Sequence, residues 1–149
     1  MRRTWFDGSG KIDCSFQDLL NSLDNPGTFF EGVVACMSGI SSVELLEQGT
    51  DFVKIRTNEG FMARTNITKR SEPDRIHFEF DEEYQAGKMV TTYSHYQDEF
   101  LKTENGVRHR TVISDVKAPG LMGFFYRKFG SRNIGKAVLE SYKTYLERL

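Results

Sequence analysis

The side chains best suited to metal binding, nucleophilic attack or proton transfer are few: three histidines (His77, His95 and His109) and two cysteines (Cys14 and Cys36). The cysteines stand far apart, with no CxxC spacing and no histidine beside them, so neither a disulfide framework nor a zinc site is expected. Tyr93, His95 and Gln97 alternate, which puts them on one face of any strand. An imidazole beside a phenol can serve as acid, base or ligand hydrogen-bond donor, which makes His95 and Tyr93 the candidate catalytic residues. The bland alternative is a core histidine satisfied by its neighbours. Glu99 and Arg110 extend the same pattern, and Arg110 reads as a rim residue reached by water. No Ser-His-Asp order, GxSxG elbow, P-loop or GxGxxG after a strand occurs, so hydrolases and nucleotide enzymes find no support and no cofactor is implied.

Elements that would position these residues can be read from period and punctuation. A first strand is expected from about Arg3 to Asp13, interrupted at Asp7-Gly8-Ser9-Gly10. Ser15 is a plausible N-cap for a short helix over residues 16–23, which Asn25-Pro26-Gly27 stops, and Thr28 to Glu31 can form another short helical turn. From Val43 to Val116 the chain is rich in Val, Ile, Thr, Phe and Tyr. Its short turn-forming separators predict a five-strand antiparallel meander, because parallel strands need long crossovers. Beyond Pro119-Gly120, Ile134, Val138, Tyr142 and Tyr145 recur at helical spacing, predicting a long C-terminal helix bent or broken near Gly130. No repeat, low-complexity tract or second domain interrupts residues 1–149.

Turn lengths then set which residues share a face. A three-residue loop at Asn58-Glu59-Gly60, with Gly60 left-handed, pairs Thr57 with Phe61, Ile55 with Ala63 and Val53 with Thr65. An even loop over Glu72-Pro73-Asp74 keeps Ile67 with Ile76, Phe78 and Phe80. An Ala86-Gly87 turn sets Phe80 opposite Tyr93 and Phe78 opposite His95. An Asn105-Gly106 turn sets Gln97 opposite Ser114 and Glu99 opposite Val112. The expected ligand-lining set is Val53, Ile55, Phe61, Thr65, Ile67, Ile76, Phe78, Phe80, Tyr93, His95, Gln97, Val112 and Ser114, with Val138 and Tyr142 facing them from the helix. An apolar face with a few convergent polar groups suits a small-molecule site; a packed core is the alternative. Only His95 of the three histidines points inward in this register, so they do not converge and no metal is expected.

The order of elements, together with Ala118-Pro119-Gly120-Leu121 ahead of the last helix, resembles the SRPBCC/START superfamily: birch-pollen-type allergens, START lipid carriers and polyketide cyclase-like proteins. The resemblance spans nearly the whole chain and rests on architecture, not on a catalytic motif. It implies an α+β helix-grip fold, a curved antiparallel sheet wrapped around a long C-terminal helix with two short helices after the first strand. It further implies a cavity for a hydrophobic or amphipathic small molecule such as a lipid, isoprenoid or polyketide. Two rivals are a cyclase/dehydratase-like enzyme, with Gln97 or Ser114 orienting the substrate of His95 and Tyr93, and a protein-interaction module using Arg108 and the basic residues between Arg127 and Lys136.

Composition narrows the partners. The 149 residues carry 20 Lys+Arg against 21 Asp+Glu, a formal net charge of -1, which argues against nucleic acid or anionic membrane as the main partner. A chain of this length buries roughly 68–70% of its unfolded surface and needs no staple. The N-terminal Arg2-Arg3 is not followed by an apolar run, so no signal peptide is expected, and the longest apolar patch, Leu121 to Tyr126, is too short to span a bilayer. The expected setting is cytoplasmic. The mixture of large apolar groups and Arg127, Lys128, Arg132 and Lys136 around Leu121–Gly130 reads either as an amphipathic gate over the cavity or as a helix with one solvated face.

Overall fold

A computed structural model describes residues 1–87, 90–120 and 130–149 of the chain. In chain order the elements are β1 (Thr4–Ile12), α1 (Phe16–Leu23), α2 (Pro26–Ala35), β2 (Val43–Gln48), β3 (Val53–Thr57), β4 (Gly60–Glu72), β5 (Arg75–Ala86), β6 (Val90–Thr103), β7 (Gly106–Lys117) and a helix named α3 (Ser131–Glu147). The strands form a seven-stranded sheet in the order β1-β7-β6-β5-β4-β3-β2. Every pairing is antiparallel. The meander from β2 to β7 thus has six strands rather than five; its first turn is at Gly49, an expected separator, whose N–H donates to the Phe52 carbonyl at 2.9 Å.

Local chemistry explains the helices. Ser15 Oγ accepts from the Asp18 N–H at 3.0 Å and caps α1. Asn25 and Pro26 start a helix rather than merely ending one. Asn25 Oδ1 accepts from the Thr28 N–H at 3.2 Å and Pro26 occupies the first turn, where its missing N–H costs nothing, so α2 runs ten residues instead of the single turn expected. Gly130 is the N-cap of α3, and the apolar stripe of that helix buries Val138, Tyr142 and Leu146. The expected gate falls on residues 121–129, outside the described residues.

The helices pack on one face of the sheet, as a half-apolar sheet requires. Phe29 of α2 meets Phe30, Phe78, Tyr142 and Tyr145 edge-on, with centroids 5.4 to 6.1 Å apart. Phe30 reaches Phe78 and Phe80, and Phe80 stacks on Tyr96 at 5.0 Å. Edge-to-face and offset contacts of this kind add to the burial of each ring.

The expected register is corrected at two turns. Arg56 pairs with Phe61 and Ile55 with Met62, so Asn58 and Glu59 alone make the first loop and Gly60 already belongs to β4. Gly60 is not left-handed. It is glycine because a Cβ there would run into the Gln85 carbonyl oxygen. Ala86 pairs with Val90, so three residues rather than two separate β5 from β6, and Phe80 lies opposite Tyr96, not Tyr93. At the last hairpin Thr103 pairs with Gly106, which moves the turn one residue earlier, to Glu104-Asn105, without changing parity. Each odd error exchanges the two faces of a strand. The inner face of the sheet therefore carries Met62 and Arg64 on β4, Tyr96, Asp98 and Phe100 on β6, and Val107, His109, Thr111 and Ile113 on β7. A bulge between Thr65 and Thr68, built on Asn66 with φ 53°, returns Ile67 to the inner face.

Candidate functional site

Two charged clusters lie inside this otherwise apolar layer. Arg64 and Glu82 are direct partners on β4 and β5. Arg64 Nε and Nη2 both donate to Glu82 Oε2, at 3.0 and 2.8 Å, with the two side chains only 2% and 8% exposed. The guanidinium lies 4.5 Å from the Phe30 ring centroid, 4.7 Å from that of Phe80 and 5.5 Å from that of Tyr96. Arginine is suited to this position because its planar, weakly hydrated cation stacks on aromatic faces. One nitrogen is left over: Arg64 Nη1 is buried and has no hydrogen-bond partner among the described residues.

Asp98, His109 and Tyr142 form the second cluster, one residue each from β6, β7 and α3. His109 Nε2 lies 2.7 Å from Asp98 Oδ1, and the Tyr142 hydroxyl donates to Asp98 Oδ2 at 3.1 Å. The imidazole packs near-parallel to both Phe100, at 4.6 Å, and Tyr142, at 4.7 Å, which also lie 6.2 Å from each other. Burial, reinforced by the Asp98 carboxylate, pushes the Tyr142 phenol well above its ordinary value, so it keeps its proton and remains a donor. His109 Nδ1 and Thr111 Oγ1 are buried without hydrogen-bond partners among the described residues.

The residues expected from sequence divide between the faces. Val53, Ile55, Ile67, Ile76, Phe78, Phe80, Val138 and Tyr142 are buried in the core. Phe61 and Tyr93, by contrast, are 37% and 45% exposed on the outer side. Thr65, His95, Gln97, Val112 and Ser114 share that outer side. His95 is covered there by its own partners: Nδ1 lies 2.7 Å from Asp81 Oδ1 and Nε2 sits against Glu79 Oε2. Burial works against the charge of Asp81, but hydrogen bonds from Asn66 and His95 prevail and hold its carboxyl below the usual range. His95 and Tyr93 are therefore not brought to the inner face, and Ser114, though buried, lies opposite His95. The histidine that does face inward is His109, with His77 and His95 outside. Arg110 is exposed as expected, and it forks onto Asp7 at 2.9 and 2.7 Å. Among the described residues, no group of three His, Cys, Asp or Glu side chains could hold a metal ion. Among them, too, no helix is long and apolar enough to cross a membrane.

Sequence reasoning passes over Arg64, Glu82 and Asp98 and sets His109 on the outer face, where the structure buries it inward. One signal was available on β7: Arg108 and Arg110 share a face that is costly to bury, which leaves Val107, His109, Thr111 and Ile113 for the core. Arg64 gives no such signal, because a charged residue in a core position becomes reasonable only when its partner is known.

No protein-family model matches the chain, and no curated protein matches it. Solved structures do. A protein from Rhizobium leguminosarum aligns with TM-score 0.67 at 11% identity, covering 100% of this chain and 97% of its own. Ara h 8.0201 aligns with TM-score 0.58 at 11% identity, covering 100% of both chains. The Zhui aromatase/cyclase from Streptomyces sp. R1128 aligns with TM-score 0.51 at 12% identity, covering 99% of this chain and 95% of its own. With its seven-stranded antiparallel sheet, two short helices after β1 and closing helix α3, the chain has the helix-grip fold.

Proposed function

We propose that the chain binds a hydrophobic or amphipathic small molecule, of lipid, isoprenoid or polyketide type, between the inner face of the sheet and the C-terminal helical region, and that Arg64 holds an oxygen acceptor of that ligand. The observation that carries this reading is that Arg64 Nη1 has no partner among the described residues. Buried donors in folded proteins are almost always satisfied by protein, water or ligand. Here the rest of the guanidinium is already fixed by Glu82 and by three aromatic rings, so the N–H groups of Nη1 are pre-aimed. A hydrogen bond to a charged donor shielded from water contributes about 1.5–3 kcal/mol. The aromatic and aliphatic neighbours supply affinity for the rest of the ligand without choosing its exact skeleton.

Anilinonaphthalene sulfonate, an apolar ring system with an oxyanion, is a suitable probe. The folded protein is expected to bind it saturably at one site. The double variant Arg64→Met/Glu82→Leu, which removes both charges together, should bind it roughly tenfold more weakly or worse. Absence of saturable binding to the folded protein, or equal affinity in the double variant, would overturn the proposal.

A further inference from the structure

A crevice of about 330 Å³ opens between β1 and α3, and His109 is part of its lining. Its origin is Gly10. That residue lies opposite His109 in the β1–β7 ladder, and a Cβ added to it would meet no atom of the described residues within 4 Å. At Gly8, two residues earlier on the same strand face, a Cβ would meet the Phe6 ring and Leu139, so the open space is confined to the His109 position. The His109 side chain is 1% exposed, its Nε2 is committed to Asp98, and its Nδ1 has no hydrogen-bond partner among the described residues. Around the same crevice stand Lys11, Lys136 and Lys143 against a single carboxylate, Glu140. Lys143 is partly neutralised by Glu147, at 2.7 and 2.8 Å, and Lys11 lies 3.7 Å from Asp13.

We infer that this crevice is a second binding site, separate from the inner-face ligand, for a small oxyanion, a carboxylate or a phosphate. The His109 ring, as imidazolium, donates one N–H to Asp98 and the other to the anion. Tyr142, stacked on the ring and donating to the second oxygen of Asp98, fixes the plane in which that N–H points. The lysines concentrate anions at the mouth, and the buried imidazole gives the direction that surface lysines alone do not.

The test is an NMR titration of the full chain with inorganic phosphate and, separately, with acetate, at ionic strength held constant with sodium chloride. A saturating shift of the His109 ring nitrogens and the Gly10 amide is expected with at least one anion. Saturation by phosphate alone marks a phosphate site, and by acetate alone a carboxylate site. Gly10→Leu, which fills the open space, should leave the melting temperature and the His109–Asp98 contact in place and weaken the anion roughly tenfold or more. Lys136→Met is the second variant and should weaken it by a smaller factor. His109 signals that do not move, or that drift linearly and equally in wild type and both variants, would overturn the inference.

Discussion

Glu82 accepts two hydrogen bonds from Arg64 through one carboxylate oxygen, across directly paired positions of β4 and β5. A buried pair of this kind is weak evidence for stability, since desolvating both charges offsets most of their attraction. Its consequence is asymmetric. Arg64→Met alone strands Glu82 in the core and is expected to cost about 3–5 kcal/mol, whereas Arg64→Met/Glu82→Leu should recover most of that loss. Urea unfolding midpoints of the single and double variants check this. A double variant as unstable as the single one would mean that the stacking on Phe30, Phe80 and Tyr96, not the ion pair, fixes Arg64.

Tyr142 makes a prediction about alkaline pH. Its folded pKa lies above its ordinary value of 10.0, so its contribution to stability is fully present below about pH 10 and is lost as pH rises past that point, where the unfolded chain gives up a proton the folded one keeps. Tyr84, pushed up to about 12 chiefly by burial, and Cys14, pushed up to about 11 for the same main reason, act in the same direction. Tyr142→Phe removes one such term and leaves Asp98 Oδ2 without its donor, at an expected cost of about 1.5–3 kcal/mol near neutrality. Unfolding free energies at about pH 9 and about pH 11 should show the gap between wild type and variant narrowing at the higher pH. A gap that stays constant or widens would contradict the placement of a protonated phenol beside Asp98.

Adjacent residues on β7 separate the two possible faces. Ile113 is 1% exposed in the core, whereas Val112 lies half-buried on the outer side opposite Gln97. Ile113→Ala is expected to cost about 2–4 kcal/mol, and Val112→Ala less than about 1 kcal/mol. Chemical denaturation of both variants measures this, and the reverse order would restore the register read from sequence.

That register marks the limit of what pattern alone conveys here. The helices, the meander and the closing helix are legible because period and caps act locally: Ser15 and the Val138/Tyr142 spacing point to the same elements the structure contains. Facing is not local. It depends on whether a turn holds two residues or three, and Asn58-Glu59-Gly60 is compatible with either until the Gln85 carbonyl behind Gly60 is known. The single extra residue after Ala86 carried His95 and Gln97 outward and brought Asp98 and, through the next hairpin, His109 inward. The inward facing of Ile76, Phe78 and Phe80 is legible because they alternate with His77, Glu79 and Asp81, which take the other side; only Glu82, further along β5, puts a charge on their face, and it is paired with Arg64.

The most direct measurement is the position of bound anilinonaphthalene sulfonate, read from intermolecular nuclear Overhauser effects in protein carrying labelled isoleucine methyls and tyrosine rings. Binding at Arg64 predicts contacts from the probe to the Tyr96 ring and the Ile113 methyls, which are direct partners on β6 and β7 beside the guanidinium cage. Contacts confined to Tyr93 and the rest of the outer face would contradict the account.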